Sequence, residues 1–184
     1  MKKSLIAALV LASANFGSSA LAQTNGGGDI GNSPQALDLV DDTAFFGDTF
    51  SAGNNGNSFA DRFTFTVDNE IPMNIDAIVA SVSRTADVGL DITGLNVYDD
   101  DDTLVATGTS LLTGATDVWT VSGDNLENGD YYIRVNGNLV SDEGASFGGA
   151  VMLMPVPEPE AYGMMLGGLG ILGFLARRRK AKQE

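Results

Sequence analysis

Four consecutive aspartates, Asp99, Asp100, Asp101 and Asp102, stand between Tyr98 and Thr103. Carboxylate oxygens crowded on a turn are the donors that Ca²⁺ takes, so the run reads either as a calcium site or as a solvated turn of an acidic protein. An EF-hand loop would need alternating acidic positions, a glycine and a distal glutamate, and that pattern is absent. A fifth aspartate is conspicuous by its place. In "FADRFTFTV" the residues Phe59, Asp61, Phe63, Phe65 and Val67 fall on one side of a strand and Ala60, Arg62, Thr64 and Thr66 on the other. A carboxylate on an apolar face must be paired, hydrogen-bonded or bound to a metal. The expectation is that Asp61 fixes a loop or meets Arg84 or Arg134 near the sheet edge. The sequence puts no second carboxylate beside it, so acid–base catalysis lacks its other half. Trp119, Tyr131 and Tyr132 offer aromatic faces on which a sugar could stack, or they belong to the core. Tyr131 and Tyr132 are neighbours, so one of the two must face outward.

The rest of the composition removes whole classes of chemistry. The 184 residues include no cysteine and no histidine, which excludes the usual zinc sites, Cys or His nucleophiles and a Ser-His-Asp triad. No cofactor is indicated beyond the calcium reading. Without disulfides the fold must be held by buried apolar surface or by bound ions. Between Gln23 and Pro157 three cationic side chains, Arg62, Arg84 and Arg134, stand against 21 acidic ones, a net −18. Phosphate binding needs basic clusters, so nucleic acid is excluded as a partner. Paired carboxylates hydrolyse glycosides only in a shaped cleft, for which a small sandwich leaves little room. The expectation is a non-enzymatic protein.

The elements that must position these residues are strands. Apolar runs recur about every ten residues between clusters of Gly, Asn, Asp and Ser, a rhythm of short strands without an amphipathic helix. Candidates lie at Ala44–Phe50, Phe59–Val67, Ile75–Val82, Leu90–Tyr98, Thr103–Thr107, Val118–Val121, Tyr131–Asn136 and Ala150–Met154. Eight such strands predict an all-β, antiparallel sandwich or jelly-roll-like domain over residues 37–155. The aspartate turn and Asn128-Gly129-Asp130 are the two hairpin signals. Residues 23–36, rich in Gly and Asn, read as a flexible leader.

Both ends of the chain carry processing signals. Lys2 and Lys3, an apolar stretch from Leu5 to Ala14 and the small-residue site Ala20-Leu21-Ala22 have the layout of a secretory signal peptide, residues 1–22, cut after Ala22. At the other end, Ala161–Ala176 would reach about 24 Å as a helix against a hydrocarbon core of about 30 Å. It just spans. Its five glycines leave small faces for another helix, and Arg177, Arg178, Arg179 and Lys180, in a basic tail over 177–182, fix the C-terminus in the cytoplasm.

Val156-Pro157-Glu158-Pro159, the apolar run and the basic cluster resemble, in that order, the PEP-CTERM sorting signal of Gram-negative bacteria, over residues 156–180. The resemblance implies signal peptidase and the general secretion machinery, then an inner-membrane exosortase that cuts near Pro-Glu-Pro and passes the protein to the exterior. It also implies an association with exopolysaccharide and biofilm. Phe59-Ala60-Asp61-Arg62-Phe63 fits the Phe-x-Asp-x-Phe pattern of one PEP-CTERM family, whose members look like small β-sandwiches and carry no known active site. The resulting expectation is an exported protein, transiently anchored in the inner membrane and then released to the cell surface or extracellular matrix. The alternatives are a surface carbohydrate-binding module, a permanently anchored protein or a small hydrolase.

Overall fold

The computed structural model describes residues 29–32, 34–69, 71–156 and 163–172. The signal peptide read at residues 1–22 lies outside them. Ten strands follow in order: β1 (Gln35–Ala36), β2 (Thr43–Phe50), β3 (Ser58–Val67), β4 (Met73–Val82), β5 (Leu90–Asp99), β6 (Leu104–Thr107), β7 (Thr109–Leu112), β8 (Thr116–Leu126), β9 (Gly129–Leu139) and β10 (Ala145–Pro155). They form two five-stranded sheets, ordered β1-β3-β9-β5-β6 and β2-β10-β4-β8-β7. Every pairing is antiparallel except β1 with β3. Alternation along each long strand buries one face of each sheet against the other.

All eight expected strands are present, several longer than the runs read from the sequence, because glycine and polar residues interrupt the apolar pattern while pairing continues to buried Leu126, Leu139 and Phe147. The two strands not foreseen, β1 and β7, are short edge strands. Their side chains are mostly exposed, so neither leaves an alternating pattern to read. The aspartate run is indeed the turn of a hairpin, β5 with β6. The second hairpin signal needs correction. Asn128 lies between β8 and β9, which belong to different sheets, so the chain there turns a corner of the sandwich. The leader expectation also changes from Asp29 onward. Gln35 and Ala36 add to the edge of β3, and Ile30 and Leu37 donate backbone hydrogen bonds to the Ser58 and Thr64 carbonyls, each at 2.8 Å. These bonds use main-chain groups, which composition does not reveal.

The centre of the core is aromatic. Phe46 lies 4.9 Å from Phe63 and Phe50 4.6 Å from Phe59, ring centre to ring centre, joining β2 in one sheet to β3 in the other. Phe147 of β10 stacks on Phe59 at 5.4 Å. Two of these rings pack directly against glycine. Phe59 is paired with Gly137 across β3 and β9, and Phe46 with Gly149 across β2 and β10. A methyl group at either glycine would collide with the ring and with a neighbouring strand's carbonyl. The same device, one per sheet, lets the rings bridge the sandwich. Gly137→Ala and Gly149→Ala should each cost about 1–3 kcal/mol, the usual penalty for overpacking a core. Urea unfolding measures it, and a change below a few tenths would show that the rings are free to move.

Candidate functional site

Asp61 points inward as its strand pattern requires and is 2% exposed. Opposite it stands a carboxylate that sequence reading missed. Asp48 of β2 is 7% exposed, and its charge and hydrogen bonding act directly on Asp61. The signal for it was available. Phe46-Gly47-Asp48-Thr49-Phe50 repeats the Phe-x-Asp-x-Phe spacing of Phe59 to Phe63. The two segments face each other from opposite sheets, so that Phe46 meets Phe63, Phe50 meets Phe59, and the aspartates meet between them.

Among the described residues no arginine reaches this pair; Asp61 instead fixes a loop, the other expected role. Arg84 bonds Glu143 at 2.5 Å on the surface, and Arg134 lies on the outer face of its sheet against Tyr98. What meets the aspartates is Asn32. Its backbone N–H donates to Asp61 Oδ1 at 2.6 Å, and its side-chain amide donates to Asp48 Oδ2. Asp48 Oδ1 accepts from the Thr49 N–H at 2.6 Å. Asp29 turns the chain just before, accepting from the Gly31 N–H at 2.9 Å. Gly31 presses so closely on Ala60 that a Cβ would come 2.9 Å from its backbone nitrogen. Asp61 Oδ2 is buried, and among the described residues no donor meets it. Burial, opposed by the Asn32 N–H and reinforced by the Asp48 charge, pushes the Asp61 carboxyl up to about 7; burial also raises Asp48.

The outer face of the β1-β3-β9-β5-β6 sheet carries a second constellation. Tyr132 of β9 is the outward member of the tyrosine pair and stacks on Tyr98 of β5 at 5.1 Å. Arg62 lies over the Tyr132 ring at 4.7 Å and Arg134 over the Tyr98 ring at 4.4 Å. Arg62 and Arg134 are direct cross-strand neighbours, a like-charge pairing that is unfavourable by itself. The ring faces and Asp102 offset it. Asp102 accepts from the Tyr132 hydroxyl at 2.5 Å and from Arg62 at 3.2 Å. The Tyr132 hydrogen bond, then the Arg62 charge, hold its carboxyl below the usual range. Beside this ladder runs a groove of about 460 Å³ lined by Leu37, Arg62, Asp100, Asp130 and Tyr131, among others.

The aspartate turn thus divides. Asp99 Oδ1 accepts from the Asp101 and Thr103 N–H groups, Asp102 faces the sheet, and Asp100 and Asp101 are exposed. Among the described residues no three carboxylates stand close enough to form a ligand group. Trp119 is not on the aromatic face; it points inward and its indole N–H donates to the Ile92 carbonyl at 2.9 Å. Tyr131 also turns inward, stacked 5.7 Å from Phe65, with its hydroxyl donating to the Glu127 carbonyl.

The buried pair makes stability depend on pH. A carboxyl whose folded value lies near 7 keeps a proton that the unfolded chain releases near 4, so stability falls as pH rises from about 4 to 7 and levels off above. In chelator-treated buffer the urea midpoint should decline over that window, and Asp61→Asn should flatten the decline. An unchanged slope in that variant would place the titration elsewhere.

The sandwich ends where the tail begins. Val156, the residue after β10, donates to the Pro72 carbonyl at 3.0 Å. Pro157, Glu158, Pro159, Arg177, Arg178, Arg179 and Lys180 lie outside the described residues. Of the apolar run read at 161–176, residues 163–172 are helical and exposed throughout. Among the described residues no helix is long and apolar enough to cross a membrane. A family model described as the PEP-CTERM protein-sorting motif matches residues 155–180. No match to a curated protein was found. The chain therefore carries a PEP-CTERM sorting signal, the mark of an exosortase substrate, beginning at the last residue of its last strand.

Proposed function

We propose that this is an exported, non-enzymatic protein of the cell surface or extracellular matrix. Its C-terminal signal holds it briefly in the inner membrane until exosortase removes the tail. The observation that carries the reading is the sorting motif at residues 155–180. The exposed helix within it supports the membrane step, since Met164, Leu166, Leu169 and Ile171 project around it and leave no polar face for water. A span shorter than the hydrocarbon core suits an anchor needed only until cleavage. The carboxylate pair does not favour a hydrolase, because Asp48 and Asp61 are walled in by phenylalanine rings and a glycosidic bond has no path to them.

The stacked outer face favours one further reading, a surface that holds exopolysaccharide in a biofilm matrix. Part-exposed Tyr98, Arg62, Arg134 and the adjoining acidic groove combine a ring edge and fork-shaped donors, the groups that sugars pair with, while Tyr132 is buried beneath them.

Replacing Arg177, Arg178 and Arg179 by serine should leave the protein uncleaved and retained with the cell envelope, as followed by fractionation and immunoblotting. Normal release of that variant would contradict exosortase sorting. For the second reading, Arg62→Ala should weaken retention on the host's own polysaccharide by about tenfold, the scale of one lost charge-assisted hydrogen bond. Equal retention would remove this face from consideration.

A further inference from the structure

We infer that Asp48 and Asp61 form a calcium site, closed by Asn32 of the segment that precedes β1. The first ground is charge. Two carboxylates meet inside a wall formed by Phe46, Phe50, Phe59 and Phe63, and ionised groups so placed require a counter-charge. Among the described residues the chain supplies none. Its three arginines between Gln23 and Pro157 are engaged elsewhere, Arg62 with Asp102, Arg84 with Glu143 and Arg134 with Tyr98.

The second ground is an orphaned atom. Asp61 is 2% exposed, yet among the described residues its Oδ2 meets no donor. A buried oxygen that lacks a donor and lies beside another carboxylate has the position of a ligand atom. The third ground is the donor chemistry. Asp48, Asp61 and the Asn32 amide offer oxygen without sulfur or imidazole, the set that selects a hard cation. Asn32 can present its amide oxygen by a simple flip of the group. Main-chain carbonyls or water would complete the shell, since no three carboxylates converge among the described residues. Calcium tolerates such irregular, mixed ligands, whereas Mg²⁺ demands a regular octahedron and keeps its water.

The role follows from where the ligands come from. Asp48 belongs to one sheet, Asp61 to the other and Asn32 to the segment laid across them. An ion here would clamp all three together. Extracellular modules bind calcium at about 0.1–1 mM, so the clamp would close only after export.

The test uses the full chain in a non-ionic detergent at pH 8, where a shared proton no longer masks the pair. Equilibrium dialysis should find one Ca²⁺ per chain, and the melting temperature should rise with Ca²⁺ and far less with Mg²⁺ at equal ionic strength. Asp48→Asn, Asp61→Asn and Asn32→Ala should each weaken binding by at least about tenfold, while Asp100→Asn and Asp101→Asn should leave it unchanged. Asn32→Ala keeps the test decisive if a core variant fails to fold. Absence of Ca²⁺ binding would overturn the inference in favour of a proton-sharing pair. Binding lost only in the turn variants would overturn it in favour of the β5–β6 turn.

Discussion

Two carboxylates facing each other across an aromatic core are the constraint around which the sandwich is arranged. An isolated buried aspartate would be costly, and two without a cation are costlier. Their tolerance depends on what meets them. Asn32 caps one with its backbone and the other with its side chain, so the segment before β1 is held to both sheets by the polar need of the core. The phenylalanines on either side keep that need acute by excluding water. Glycines at 137 and 149 in turn make room for two of those rings. Removing any layer of this arrangement exposes the next.

The sparse positive charge is disposed with equal economy. Arg62 and Arg134, two of the three arginines between Gln23 and Pro157, lie side by side on one outer face, where tyrosine rings and Asp102 absorb their repulsion. This leaves an acidic body with one aromatic and cationic surface. Such a surface can meet a polymer even while the rest of the domain repels anionic neighbours.

Much of this was legible in the sequence, and the failures are instructive. Alternation in "FADRFTFTV" places Asp61 inside, because a strand's period of two is dictated by backbone geometry. Turn chemistry locates the β5–β6 hairpin for a similar local reason. What did not show is whatever depends on distant strands meeting. Asn128-Gly129-Asp130 has the composition of a hairpin turn but joins two sheets, since turn residues do not state which partner the next strand will choose. Burial predicts that Asp61 fixes a loop or meets an arginine without saying which; in the structure it holds Asn32, and the three arginines of the domain take other partners. Asp48 went unseen although its Phe-x-Asp-x-Phe spacing duplicates that around Asp61. A repeat only five residues long becomes meaningful once β2 and β3 are known to face each other.

The tail was the most legible part, because its message is linear. A membrane signal is read by length, hydropathy and flanking charge and needs no folded context. Its junction with the domain is equally plain in the structure, where β10 closes at Pro155 and the sorting motif starts. Destination and fold are thus written in adjoining but separate segments. The intact mass of the chain recovered from the cell exterior tests this most directly. The account predicts a mature C-terminus near Pro157-Glu158-Pro159, without the arginine cluster. A chain that runs through to Glu184 would contradict it.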